Sequence, residues 1–356
     1  MKKIIFSSRI WKFIRNIAPV VITLGLLSYL IYRLKPNRIA EAIINIRLWV
    51  IFLAIAISIT MYVLKTTRWY YILRKLDIKL NFLEVLKLVL IGSFGASVTP
   101  AKMGDVIRAL YLAKWSNIKE TTSFFSAILD RTMDLMGVGV FSLIALPFFA
   151  KQLEPITKWA IAGGMAIVLL VVLIMFNAKI VKIFGTFLLK IRKKKVANTF
   201  DNNGHHQKRK ESSNVMKIVD DFYSHLSILD KKNYVVILAI TFAFWLLLGL
   251  QVSLFLCFMA DVKLSFQFFL TISGIMSIAA TVSLIPISIS GIGIRDATIT
   301  VLVFYSVMIK GEIAFSASLL QTALNMVIPG IIGGFILLHS RRKEKAVRNK
   351  KKNLIH

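Results

Sequence analysis

The sequence predicts an all-α polytopic membrane protein, and three observations carry that prediction. The chain has 356 residues, 57% of them hydrophobic, with a mean hydropathy of +0.72. Its charge is confined to short segments between long apolar runs, a composition foreign to a soluble core. Two of the shorter runs are interrupted by proline, glycine and ionisable residues where a helix would otherwise continue. The expectation is six full transmembrane helices plus two broken or re-entrant helical hairpins, eight hydrophobic segments or more, with both termini cytoplasmic.

A helix needs roughly 17 to 25 apolar residues to cross the hydrocarbon. The N-terminus, MKKIIFSSRIWKFIRN, is charged like the start of a signal peptide, but no small-residue cleavage site follows, so it is read as retained. The first span is Ile17 to Tyr32 and the second Leu48 to Leu64. Lys2, Lys3, Arg9, Lys12 and Arg15 before the first span favour a cytoplasmic start. The connection from Arg33 to Arg47 should then be outside, although it carries Arg33, Lys35, Arg38 and Arg47.

Asn81 to Trp115 is the first broken hairpin, entered from the cytoplasm. FLEVLKLVLIGSFGASV is barely long enough to span, and the amphipathic TPAKMGDVIRALYLAKW follows. Thr121 to Phe149 is the third span and Trp159 to Phe176 the fourth. Lys190, Arg192, Lys193, Lys194, Lys195, Lys208, Arg209 and Lys210 mark the next loop as cytoplasmic. Within it 196–214 is polar and irregular. Val215, Ile218, Val219, Phe222, Leu226 and Leu229 recur at helical spacing, so 215–230 is read as an amphipathic surface helix.

Tyr234 to Ala260 is the fifth span. Ser265 to Lys310 is the second broken hairpin, entered from outside, and Glu312 to His339 is the sixth span. One integral membrane domain therefore covers 1–339, and 340–356 is a basic cytoplasmic tail holding Arg341, Arg342, Lys343, Lys345, Arg348, Lys350, Lys351 and Lys352. Trp49, Trp69 and Trp159 sit near span ends, where amphipathic rings favour the headgroup layer.

The net charge of +29 raises the question of nucleic acid. Its basic residues flank apolar runs instead of forming an aromatic-interleaved patch, so anionic headgroups and topology control explain them better. The single cysteine, Cys257, excludes an intrachain disulfide. No GxxxxGK[ST] loop, HExxH or GxSxG elbow occurs, and the longest soluble segment, Asn177 to Lys232, is mostly basic linker. His205 and His206 read as solvated loop residues rather than metal ligands. No catalytic residue, metal or cofactor is expected.

Non-helical backbone at membrane depth survives only where it is buried in protein or lines a watery cavity. Paired, Gly/Pro-interrupted short segments in the two halves of a membrane protein are also the best sequence pointer to a transport site. The first break holds Pro100, Lys102, Gly104, Asp105 and Arg108, with Asp105 and Arg108 three apart on one helix face. An interfacial turn carrying a solvated ion pair is the other reading of this segment.

The second break, SLIPISISGIGIRD, holds Pro286, Ser288, Gly291 and Gly293, then Arg295 and Asp296 in the first turn of a helix whose free N–H groups favour an anion. The third constellation is LDRTMD inside the third span: Asp130 and Asp134 share a face, with Arg131 between them. Three ionisable groups in one turn exceed what a headgroup-zone anchor requires, and each costs about 2.5–3.5 kcal/mol at a helix centre.

With those residues in hand the chain resembles the flippase-like transmembrane family that forms the membrane region of lysylphosphatidylglycerol synthases and also occurs alone. The resemblance covers about Pro19 to Leu338. PAKMGDVIR is similar to the family's proline, glycine, acid and arginine segment, and LDRTMD to its acid, Arg, two residues, Asp signature. LIPISISGIGIRD resembles its Pro-x-Ser…Gly-x-Gly-x-Arg-acid stretch. The family usually has Glu where Asp105, Asp130 and Asp296 stand, and often Gly where Ser290 stands. The aminoacyl-transferase domain of the synthases is not expected after His339, so no lysyltransferase activity is expected.

The resemblance implies translocation of an aminoacylated or otherwise modified phospholipid, or a lipid-linked sugar, between leaflets of the cell membrane. Lys102, Arg108, Arg131 and Arg295 would hold a headgroup phosphate, with Asp105, Asp130, Asp134 and Asp296 pairing those cations when the groove is empty. The partners implied are anionic membrane phospholipids and a separate lipid-modifying enzyme, with no nucleic acid. Two other readings stay open: a lipid-modifying transferase or accessory subunit using Asp130 and Asp134, and a small-solute transporter.

Overall fold

The computed structural model of the protein describes residues 2–99, 104–149, 228–284 and 287–353, with isolated positions within 159–170 and 224–226. Most of the expected span Trp159 to Phe176, the loop 196–214 and most of the surface helix 215–230 lie outside the described residues. So do Pro100, Lys102, Pro286, His205 and His206.

Every element among the described residues is helical. Helix α1 (Lys2–Arg33) turns sharply into α2 (Pro36–Ile44), with Pro36 at the first helical position. Then come α3 (Leu48–Lys75), α4 (Phe82–Val98), α5 (Gly104–Ser116) and α6 (Glu120–Phe149). The second half holds α7 (Lys231–Ala260), α8 (Phe266–Val282) and α9 (Ile294–Val307). It ends with α10 (Gly311–Thr322), a π turn (Ala323–Val327) and α11 (Ile328–Asn353).

Three of these runs are long and apolar enough to cross a membrane: α3, α7 and Gly311–Ser340. The pair Ala18–Arg33 and Pro36–Ile44, bent by 83°, makes a fourth if it counts as one span. The connection that looked too basic for its side contains a helix, and Arg38 on it reaches Glu312 at the start of α10, 3.3 Å away.

Both interrupted hairpins fold as helix, break, helix. In the first, α4 and α5 cross so closely that a Cβ on Gly104 would stand 1.9 Å from the carbonyl oxygen of Gly92. Only glycine permits that approach, and in a bilayer such close backbone contact replaces the hydrophobic drive that lipid tails cancel. In the second, Ser290, Gly291 and Gly293 have φ of 54°, 79° and 86°. These left-handed conformations explain why glycines interrupt the run, and why glycine suits the position of Ser290 as well.

The helices also repeat. The set α3, α4, α5, α6 has 28, 17, 13 and 30 residues; the set α7, α8, α9 and 311–340 has 30, 17, 14 and 30. Packing repeats with length: α3 lies on α4 as α7 lies on α8, and α5 on α6 as α9 on α10. Each hairpin's first arm then packs across the molecule, α4 against α11 and α8 against α6.

The leading helices α3 and α7 meet antiparallel. Trp49 packs edge-on against Phe258, Gln251 Nε2 donates to the Ala54 carbonyl at 2.8 Å, and Tyr71 donates to Asn233 at 2.6 Å. Equivalent helices thus run in opposite directions, the arrangement of an inverted repeat, which places any shared site at the interface between the sets.

Candidate functional site: a charged cavity at the helix midpoints

The apolar face of α3 repeats at helical spacing through Val50, Ala54, Ile57 and Met61, and the buried stripe continues through Arg68, Trp69 and Ile72. That continuation carries two cations, Lys65 and Arg68, into the protein. The halfway point of α3 falls at Met61 and Tyr62, that of α7 at Trp245 and that of 311–340 at Asn325. All four line one cavity of about 180 Å³. At roughly 15 Å³ per water it has room for on the order of ten waters, or for a phosphate group.

Its charged lining is Lys65 from α3, Arg131 and Asp134 from α6, and Arg295 from α9. Three cations therefore face one carboxylate. Asp134 is already engaged, because its Oδ1 accepts from Arg68 Nη1 at 2.6 Å. Arg295 is nine-tenths buried; it bonds Thr322 through Nη2 and stands 3.5 Å from Asp296, while its Nε has no hydrogen-bond partner among the described residues. Each arginine has a carboxylate only at the edge of ion-pairing range, Arg295 3.5 Å from Asp296 and Arg131 3.8 Å from Asp105 and 4.0 Å from Asp134, and away from bulk water such cations attract an anion more strongly than in water.

Behind the cavity wall lies a second group of charges, joined to the first through Arg68 and Asp134. Arg68 Nε donates to Asp130 Oδ1 at 2.7 Å, Arg108 Nη1 lies 2.8 Å from Asp130 Oδ2, and Arg108 Nη2 lies 2.9 Å from Asp105. Arg68 also donates to Thr241 at 3.0 Å, and the Arg108 guanidinium stacks over Trp69, 4.6 Å from the ring centre. Asp130 is fully buried and both arginines nearly so. This network ties α3, α5, α6 and α7 together.

Several expectations change here. Asp105, Arg108 and Asp130 are brought together, but they do not line the cavity; Arg131, Asp134 and Arg295 do. Trp69, expected at the headgroup layer, is fully buried, because its ring carries Arg108 and its Nε1 donates to Ser126 at 3.3 Å. The helix start at α9 already has its anion. Asp296 Oδ2 accepts from the Gly293 N–H at 2.9 Å and Oδ1 accepts from Ser318, so the carboxylate caps its own helix. What remains for a ligand at the second break is the Arg295 side chain. Ser288 is buried beside this break, and its hydroxyl has no partner among the described residues.

The spacing of uncharged residues concealed the rest of the site. The π turn frees carbonyl groups at the middle of its span, as such turns do at functional sites. Tyr62 donates to the Asn325 carbonyl at 3.1 Å and Ser97 to that of Met326 at 3.2 Å. The Asn325 side chain donates to Gln251 at 2.6 Å, and Gln251 in turn donates to Ser58 at 2.7 Å. Gln321 and Asn325 both face the cavity, each with a side-chain oxygen that has no hydrogen-bond partner among the described residues. Lys65 and Arg68 did leave a signal, since the α3 periodicity runs on past Leu64.

Residues 16–333 match the family described as the lysylphosphatidylglycerol synthase TM region. A UPF0104 membrane protein of Methanocaldococcus jannaschii is 24% identical over 86% of this chain and 89% of its own length. One from Pyrococcus horikoshii is 23% identical over 91% of this chain and 96% of its own. A third, from Methanothermobacter thermautotrophicus, is 24% identical over 81% and 84%. With nearly the whole membrane region matched, this membrane protein belongs to the lysylphosphatidylglycerol synthase transmembrane-region family.

Proposed function

We propose that the protein is a flippase or scramblase that passes an anionic phospholipid, an aminoacylated phosphatidylglycerol or a lipid-linked sugar phosphate between the leaflets of the cell membrane. The observation that carries this reading is the cavity at the midpoints of three spanning helices, where Arg131 and Arg295 from opposite repeats line the same space with Lys65. Arginine is suited to a headgroup phosphate, which it takes through paired N–H donors. In this reading six helices span, the two hairpins are re-entrant from opposite faces, and both termini are cytoplasmic. A separate lipid-modifying enzyme would supply the lipid.

The sequence holds no nucleotide-binding loop. A lipid gradient, an ion gradient or the membrane potential is therefore assigned as the driving force. A transferase would need Asp130 and Asp134 as acid, base or metal ligands. Asp130 has an arginine on each of its oxygens, which favours a positioning role over a chemical one.

Protein reconstituted into vesicles should accelerate leaflet exchange of a fluorescently labelled phosphatidylglycerol. The Arg131→Ala/Arg295→Ala variant should abolish that exchange while remaining monodisperse in detergent. Exchange at the unsubstituted rate by the folded double variant would sink the assignment of these two residues.

A further inference from the structure

The residues round the central cavity carry hydrogen-bonding atoms that the protein leaves unused. Arg295 and Trp245 line it and are more than nine-tenths buried, and neither Arg295 Nε nor Trp245 Nε1 has an acceptor among the described residues. Gln321, only 4% exposed, lines it too, and its Oε1 accepts from nothing among the same residues. The Oδ1 of Asn325 is in the same state. Buried polar atoms are rarely left this way, so two donors and two acceptors on the lining of one cavity point to an occupant that supplies both kinds of partner.

A relay fixes the Asn325 amide. Gln251 Nε2 donates to the Ala54 carbonyl at 2.8 Å, so Gln251 presents its oxygen to Asn325, which must answer with its NH2 group at 2.6 Å. Asn325 therefore keeps Oδ1 as an acceptor and cannot turn a donor in its place. Charge limits the occupant further. Among the described residues the cavity and the network behind it hold the cations Lys65, Arg68, Arg108, Arg131 and Arg295 against the carboxylates Asp105, Asp130, Asp134 and Asp296. With every group ionised, one positive charge is in excess, and a single phosphodiester balances it.

We propose that the cavity receives a phosphodiester headgroup whose alcohol is uncharged and bears free hydroxyls, glycerol or a sugar, with its phosphate on Arg131 and Arg295 and its hydroxyls on Gln321 Oε1 and Asn325 Oδ1. This rests on the lipid-translocation reading of the cavity and narrows its substrate, because the aminoacylated lipids drop out. A hydroxyl donates to an amide oxygen and accepts in turn from a donor such as Trp245 Nε1. An ammonium would satisfy the same oxygens, but it would have to stand beside Lys65, Arg131 and Arg295 away from bulk water. A lysyl ester brings two ammonium groups with its one phosphate and would double the excess charge. A methyl ester balances the charge but leaves both amide oxygens without a donor.

The test uses the full chain in phosphatidylethanolamine vesicles and compares leaflet exchange of four lipids, each labelled in its hydrocarbon. They are phosphatidylglycerol, a polyprenyl-linked sugar phosphate, phosphatidylmethanol and lysyl-phosphatidylglycerol. The faster of the first two identifies the alcohol as glycerol or sugar. Phosphatidylmethanol and lysyl-phosphatidylglycerol should each trail it by at least about tenfold, since a site built for a hydroxyl is left with unpaired polar atoms by an analogue lacking one. Gln321→Met, which keeps the side chain's length, should cut the lead over phosphatidylmethanol severalfold. Either control lipid keeping pace with the favoured one, or an undiminished lead in Gln321→Met, would overturn the headgroup assignment. If exchange still needed Arg131 and Arg295, translocation would stand without it. No protein-dependent exchange of any of the four lipids would overturn the translocation reading and this inference together.

Discussion

The two interrupted hairpins are built alike and do opposite things with their charge. In the first, α4–α5, Arg108 turns into the protein and is held by Asp105, Asp130 and the Trp69 ring. In the second, α8–α9, Asp296 caps its own helix, accepts from Ser318 and stands 3.5 Å from Arg295, whose side chain lines the cavity. One break therefore anchors packed helices, and in the proposed function the other receives the headgroup. An inverted repeat need not place equivalent functions at equivalent positions; the partners already present decide which cation is free to meet a ligand.

Removing a carboxylate from each half should expose that asymmetry. The largest effect is expected for Asp130→Ala, which leaves Arg68 and Arg108 buried and uncompensated. Breaking a buried pair from one side costs about 3–5 kcal/mol. The loss should appear as a large fall in thermal unfolding temperature in detergent, and a wild-type melting curve would break the description of this network as the anchor. Asp296→Ala should cost less than Asp130→Ala, since it removes a helix cap and the carboxylate 3.5 Å from one buried arginine, where Asp130 holds two arginines at 2.7 and 2.8 Å. Equal destabilisation by the two substitutions would erase the distinction between the hairpins.

Much of this was legible in the sequence, for definite physical reasons. The breaks announced themselves because glycine, proline and charge are costly in an apolar run unless something requires them. Asp105 and Arg108 were readable as a pair from their three-residue spacing, and Arg131 and Arg295 as candidate ligands of one site. Arg68 was missed because a span that ends at Leu64 satisfies the length rule, and the next basic residues then pass for headgroup anchors. The buried stripe of α3, continuing to Ile72, shows that length alone was the wrong criterion there. Asn325, Gln321 and Gln251 carry no charge or spacing to mark them, and a π turn has no sequence signature. Asp296 was readable as a partner for Arg295, 3.5 Å away, but its second role as the cap of its own helix was not, because only the geometry at Gly293 reveals it.

In the proposed function Arg131 and Arg295 grip one headgroup in one cavity. Its most direct test is a double-mutant cycle on phosphatidylglycerol exchange in reconstituted vesicles, comparing Arg131→Lys, Arg295→Lys and the pair. Lysine keeps the charge but loses the paired donors, so residual exchange stays measurable. If both side chains act on the same phosphate, the two losses are coupled and the pair departs from the product of the single effects. Losses that multiply as independent factors would place the two arginines at separate sites and contradict the shared cavity as the seat of translocation.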